Sequence, residues 1–195
     1  MNIDEFCTKE LGVTDPQLLH DWQSSGKIKR VQKGEIIQNI GDIDSQVHIL
    51  MDGLLRGFFF DLNGKEITDC FGFIPGTPVM SCLGLNMPTP LCIEALETST
   101  LLMIPLDVIQ TLLETNLEMN RLYNRLLHTA LMMHWQSKIM LAQHGAPQRY
   151  QWFLEQFPGL IDRVTHKHIA SFLGMSPVSL SRIRKAIREQ GMDDA

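Results

Sequence analysis

The chain has 195 residues, of which 44% are hydrophobic, enough to bury the core of one or two ordinary domains. No run approaches the ~20 apolar residues of a membrane span, and the acidic, mixed segment from Met1 to Glu10 lacks the basic and apolar parts of a secretory signal, so a soluble cytoplasmic protein is expected. The net charge of −5 argues by itself against a nucleic-acid partner, but residues 1–115 carry 7 Lys+Arg against 16 Asp+Glu and residues 116–195 carry 10 against 6, the pattern of an acidic body with a basic binding end.

Asp15-Pro16 is a helix start signal, and Leu18, Leu19 and Trp22 follow it at helical spacing. Residues 27–104 then change to short apolar runs punctuated by Gly34, Gly41, Gly53, Gly57, Gly64, Gly72 and Gly76. The runs are Glu35 to Ile37, Val47 to Met51, Leu54 to Phe60, Glu66 to Thr68, Leu91 to Ile93 and Leu101 to Ile104, and Asn63-Gly64 marks a hairpin. Many short strands with turn signals every eight to twelve residues predict a sandwich or barrel. The cysteines, Cys7, Cys70, Cys82 and Cys92, form no CxxC pair and read as reduced, buried thiols.

From Pro105 the period becomes helical. Leu106, Ile109, Leu112 and Leu113 share one face, and Asn116 caps a second helix reaching about Gln143. This long helix is apolar on two sides. Met119, Leu122, Leu126, Met133 and Met140 form one row, assigned to a dimer interface; Tyr123, Leu127, Leu131, Trp135 and Ile139 form another. An internal core helix of a monomer is the alternative. His144 to Pro147 breaks the helix, with Gly145 expected as its C-cap, and marks the best domain boundary. A helix from Pro147 to Phe157 should turn Tyr150, Phe153 and Leu154 inward before a Pro158-Gly159 break.

Residues 165–189, THKHIASFLGMSPVSLSRIRKAIRE, have the grammar of a helix-turn-helix. Thr165 can cap the first helix, Ala170 is small where two helices cross, and Gly174 suits a left-handed turn. Ser176 caps the second helix and Pro177 takes its first position. Leu180, Ile183 and Ile187 then fall on one face, with Val178, Arg182 and Lys185 opposite and Ser181 and Arg188 flanking. Such a basic face fits the DNA major groove; a solvated basic helix on an ordinary bundle is the plainer alternative. The candidate DNA-binding residues are Thr165, His166, Lys167, Ser176, Pro177, Val178, Ser179, Ser181, Arg182, Lys185 and Arg188.

The segment RVTHKHIASFLGMSPVSLSRIRK resembles the helix-turn-helix of the cyclic-AMP receptor protein/FNR family of transcription regulators. Lys33 to Ile37 with Gly41-Asp42 is similar to that family's first β-roll hairpin, Val47 to Gly53 to its strand ending in Leu-X-Gly, Gly57 to Glu66 to the next hairpin, and residues 105–143 to its short and long helices. The resemblance implies an α+β architecture: an N-terminal jelly-roll, cyclic-nucleotide-binding-like sensor domain (1–115), a dimerisation helix (116–144) and a C-terminal all-α helix-turn-helix domain (145–195). It implies a homodimer on a two-fold-related DNA site, with Arg182 on the base-contacting arginine and Ser176 and Ser179 at helix-start positions near the backbone. An effector or redox signal at the β-roll would shift the two recognition helices between spacings that fit DNA and spacings that do not. Double-stranded DNA and a second copy of the chain are the expected partners, with RNA polymerase a further candidate and no membrane.

The chain departs from the family in its nucleotide pocket. Nucleotide-binding members place a glutamate and an arginine where this chain has Ser81 and Thr89, so neither the ribose carboxylate nor the phosphate cation is present and cyclic AMP is not expected. An uncharged effector would meet Met80, Ser81, Cys82, Met87, Thr89 and Tyr123, which read equally well as core and loop. Only Cys7 lies where the oxygen-sensing branch clusters cysteines for an iron–sulfur centre, and His20, His48, His128 and His134 read as structural, so no cofactor is expected. The chain ends at Ala195 with no β-hairpin wing after the recognition helix, which would place more of the DNA affinity on dimerisation and on Arg163, Lys167, Arg184 and Arg188. A cupin-type enzyme would need several strand-borne metal ligands, and the β-region offers only His48; His166 and His168 point about 200° apart on a helix. No enzyme activity is expected. The remaining alternative is a sensor that binds an effector or a protein and has lost DNA binding.

Overall fold

The computed structural model describes residues 1–79 and 87–193, excluding the side chains of Arg188 and of residues from Gln190 onward. It divides into two compact units. One comprises Met1–Phe59 and Asp69–Ala130, the other Phe60–Thr68 and Leu131–Ala195.

The first unit opens with two helices. Helix α1 (Ile3–Lys9), which sequence reading did not find, is capped by Asn2, whose Oδ1 accepts the Glu5 N–H at 2.8 Å. Helix α2 (Pro16–Ser25) is capped by Asp15, whose Oδ1 accepts from Leu18 N–H at 2.8 Å. Among the described residues eight strands follow: β1 (Lys27–Val31), β2 (Ile36–Gln38), β3 (Gln46–Asp52), β4 (Leu55–Phe60), β5 (Glu66–Gly72), β6 (Pro78–Val79), β7 (Cys92–Ala95) and β8 (Ser99–Pro105). They form two four-stranded sheets ordered β1-β8-β3-β6 and β2-β7-β4-β5. Antiparallel pairing joins β8 to both β1 and β3, β3 to β6, and β7 to both β2 and β4. This is the expected jelly-roll with two strands added. Strand β1, KIKRV, escapes an apolar-alternation test because it is an edge strand with only Val31 buried; lysines on such an edge discourage pairing with a foreign strand.

The central strands of the first sheet, β3 and β8, are buried on both faces, because the alternation of a strand sends neighbouring residues to opposite sides. Val31, Leu50 and Leu101 face Leu55, Ile93 and Ala95 of the second sheet in one core. Ile49, Met51, Leu102 and Ile104 face the helices in another, meeting Phe6, Leu18 and Trp22 together with Ile109 and Leu112 of α3 (Leu106–Thr115) and Met119 and Leu122 of α4 (Leu117–Gln143). Each such aliphatic side chain fully buried contributes about 1.5–3 kcal/mol. Asn116 caps α4 as expected, its Oδ1 accepting the Met119 N–H at 2.9 Å.

Two readings change on the long helix. Met119 and Leu122 are 4% and 3% exposed inside the helix-side core, and Leu126 packs against it, so the row assigned to a partner begins as the chain's own core. The exposed row is the other one, with Leu127 at 41%, Leu131 at 56%, Trp135 at 50% and Ile139 at 46%. Gly145 is extended (φ −74°) and stands at the N-cap of α5 (Ala146–Gln156), so it does not end α4 as a left-handed C-cap. Leu154, expected inward, is exposed while Tyr150 and Phe153 are buried.

The turn between β3 and β4 explains one obligatory glycine. Gly53 has φ +114°, and a Cβ there would lie 2.2 Å from Ser99 Oγ, the oxygen that accepts the Leu54 N–H at 3.1 Å and donates to Glu97 O at 2.9 Å. Backbone strain and overpacking together predict that Gly53→Ala lowers stability by about 3 kcal/mol. Urea unfolding midpoints check this, and a loss below about 0.5 kcal/mol contradicts it.

Candidate nucleic-acid interface

The C-terminal part of the second unit consists of α5, α6 (Leu160–Arg163), α7 (His166–Phe172) and α8 (Pro177–Asp193). Its core is aromatic: Phe153 stacks on Phe157 with centroids 5.1 Å apart, and Phe157 meets Phe172 edge-on at 5.4 Å. Around these rings Leu160, Ile169, Ala170, Leu173 and Leu180 are essentially inaccessible to solvent. Helices α7 and α8 pack against each other, and Ala170 on α7 is fully buried.

The turn between them follows from its sequence. Gly174 adopts φ +61°. Its N–H donates to Ser171 O at 3.1 Å and the Met175 N–H donates to Ala170 O at 2.9 Å, the paired bonds that close a helix through a left-handed glycine. Added bulk at Gly174 would also press on Arg149 Nη1 at 3.1 Å. Ser176 then starts α8, its Oγ accepting the Ser179 N–H at 3.1 Å, and Pro177 takes the first turn, where an N–H is not needed. Thr165 caps α7, its Oγ1 accepting from His168 N–H at 3.5 Å.

Of the residues expected at DNA, Thr165, His166, Lys167, Ser176, Pro177, Val178, Ser181, Arg182 and Lys185 are exposed. Val178, Ser181, Arg182 and Lys185 form one stripe of α8, opposite Leu180, which is 0% exposed. Ser179 is half-buried and its Oγ lies 2.9 Å from that of Ser176, so both hydroxyls serve the helix start. Lys185 Nζ is 3.7 Å from Glu189 Oε1, an exposed pair too weak to hold the ammonium from a phosphate. The Arg188 side chain lies outside the described residues. Ser171 is a feature that sequence reading missed: its Oγ accepts the Thr68 N–H at 2.9 Å and donates to Glu66 O at 3.3 Å, tying α7 to the start of β5 within the same unit. Its only sequence signal is a polar residue in an otherwise apolar helix stretch.

Met80, Ser81 and Cys82 lie outside the described residues. Met87 is 49% exposed. Thr89 is buried, its Oγ1 donating to Leu91 O at 3.1 Å and accepting from Leu91 N–H at 3.2 Å. Tyr123 packs on the helix-side core. Between the sheets, a Cβ on Gly57 would meet Cys70 Sγ at 2.6 Å and Ile93 Cδ1 at 3.4 Å, so that part of the roll is filled by its own side chains. Burial pushes the thiols of Cys7 and Cys70 up to about 12, which holds both protonated and unreactive.

Sequence reading also overlooked Arg56. It is 1% exposed, its Nε lies 2.8 Å from Glu94 Oε1 on the neighbouring strand, and its guanidinium sits 4.1 Å from the centre of the Phe58 ring. The interruption of an apolar strand, Leu54-Leu55-Arg56-Gly57-Phe58, is the signal that could have found it.

No family model matches the chain. It is 25% identical over 175 residues to the regulatory protein HlyX of Actinobacillus pleuropneumoniae, covering 84% of this chain and 72% of that protein. The solved structure of FixK2 from Bradyrhizobium japonicum superposes with a TM-score of 0.77 at 16% identity, over 85% of this chain and 86% of that one. That of a transcriptional regulator of the CRP/FNR family from Eubacterium rectale gives 0.70 at 20% identity, over 91% and 85%. Over most of its length the chain is similar to regulators of the cyclic-AMP receptor protein/FNR type and shares their fold. Its CRP/FNR fold is the α+β jelly-roll, long helix and helix-turn-helix described above, and its relatives are transcription regulators.

His48 yields a test of the β-roll itself. It shares the face of β3 that carries Leu50 into the inter-sheet core, and its Nδ1 has no hydrogen-bond partner among the described residues. Burial first, and the Lys29 charge second, lower its pKa below the usual value near 6.5. The unfolded chain therefore takes up a proton before the folded one does. Stability is full above about pH 6.5 and is lost as pH falls through the folded value. The melting temperature of the wild type should drop between pH 7.5 and 5 by more than that of His48→Gln; equal drops contradict the assignment.

Proposed function

We propose that the chain is a sequence-specific DNA-binding transcription regulator that acts as a homodimer and whose DNA binding is controlled through its β-roll. The observation that carries this reading is the exposed stripe of α8, two cations with a hydroxyl and an alkyl group, presented by a capped helix whose opposite side is anchored by Leu180. An α-helix of this kind fits the major groove, with arginine suited to guanine and lysine to phosphate. Lys167 and His166 at the start of α7 add positive charge or donors for the backbone. No helix among the described residues is long and apolar enough to cross a membrane.

The second copy is assigned to the outward row of α4. Leu127, Leu131, Trp135 and Ile139 recur every four residues over about 18 Å of helix, and an apolar stripe of that length on a continuous helix is what a matching helix would cover. The functional division proposed is 1–115 for sensing, 116–144 for dimerisation and 145–195 for DNA.

Two measurements test this reading. Affinity for duplex DNA should fall at least about 100-fold between 50 and 200 mM salt, because neutralised phosphates release counterions; no binding at the low-salt end would leave a sensor without DNA contact. Leu131→Glu with Ile139→Glu should halve the sedimenting mass and weaken DNA binding together, and a dimer that survives both charges contradicts the assigned interface.

A further inference from the structure

We infer that α8 reads a thymine 5-methyl group through Val178 beside a guanine read by Arg182, so that each half-site carries a T·A pair within about two steps of a G·C pair. This rests on the DNA-binding reading above and specifies its target.

Val178 lies two residues after the cap Ser176, in the first turn of α8, and is 60% exposed. A valine there contributes nothing to the core, which takes Leu180 instead. At about 100° per residue, Val178, Ser181 and Arg182 fall within roughly a 100° arc, so all three meet one surface. Val178 and Arg182 are about 6 Å apart along the helix axis, against about 3.4 Å per base pair, which sets the spacing of at most two steps.

What the stripe lacks narrows the target further. The amino groups of cytosine and adenine are read by carboxylates and amides, and the first turn of α8 has no acidic residue. Val178, Ser181, Arg182 and Lys185 include neither a carboxylate nor an amide. The hydroxyls of Ser176 and Ser179 are committed to each other and to the helix start. An alkyl group, one hydroxyl and two cations remain. The apolar group that base edges display in the major groove is the thymine methyl, and the group best matched to arginine is guanine O6 with N7.

The test uses the full chain and duplexes enriched from a randomised pool. Thymines near the enriched guanine are replaced one at a time by deoxyuridine, which deletes the methyl and leaves base pairing intact. The wild type should lose affinity about four-fold at one position per half-site, the effect of burying one methyl-sized group. Val178→Thr, which keeps a methyl, should retain that sensitivity, and Val178→Ser should bind both duplexes alike. The side chain is exposed, so unchanged circular dichroism and melting are expected in both variants. Equal wild-type affinity with and without every methyl, or an undiminished difference in Val178→Ser, overturns the inference alone. Failure to enrich any duplex overturns the DNA-binding reading and the inference with it.

Discussion

Strand β8 is the constraint on which the β-roll unit is built. It runs between β1 and β3, and consecutive residues enter different cores: Leu101 faces the second sheet, while Leu102 and Ile104 face the helices. A strand apolar on both faces must be covered on both, so the jelly-roll cannot stand as a two-layer sandwich alone. Helices α1, α2, α3 and the first turns of α4 supply the missing cover. Polar bonds fix their positions: Thr14 N–H donates to Glu118 Oε1 at 2.5 Å, and an Arg125 Nη2 donates to Leu11 O. Because Met119 and Leu122 are consumed in that packing, the orientation of α4 is set by the β-roll. The row it leaves outward is therefore determined by the chain itself.

The C-terminal helices are governed by a smaller but equally strict constraint. Helices as short as α7 have little stability of their own, and here they are held by a ring cluster beneath and by the turn at Gly174. Each residue of the turn has one job: Gly174 takes the left-handed turn, Ser176 satisfies the next helix and Pro177 starts it. With backbone groups satisfied locally, the outer stripe of α8 is free to carry chemistry that contributes nothing to folding. Under the proposed reading, specificity and stability reside on opposite faces of one helix.

Local chemistry was legible in the sequence, and three-dimensional allocation was not. Asp15, Asn116, Thr165 and Ser176 are caps whose partners lie three residues away, so their roles could be read directly. The hairpin at Asn63-Gly64 was equally plain: Gly64 has φ +76°, and Asp61 Oδ1 accepts from Asn63 and Lys65 N–H. The two rows of α4 were both visible as apolar, but that Met119, Leu122 and Leu126 meet the chain's own core depends on where β8 lies. Strand β1 was hidden by its charge, and β6 by its two-residue length. Arg56 shows the same limit. A buried guanidinium is intelligible only once Glu94 is seen opposite it across the β4–β7 ladder. Gly145 illustrates the reverse error, since a glycine after a helix suggests a left-handed cap although the chain here simply extends into the next helix.

The central claim is that two copies of α8 read DNA with Arg182 at the specific contact. Retention of duplexes from a randomised library, sequenced in parallel for wild type and Arg182→Ala, tests it most directly. The account predicts a two-fold-symmetric motif with half-sites about one helical turn apart, and its fading in the variant by the 1–3 kcal/mol of one arginine–guanine contact. An asymmetric motif, or the same motif retained by Arg182→Ala, would contradict it.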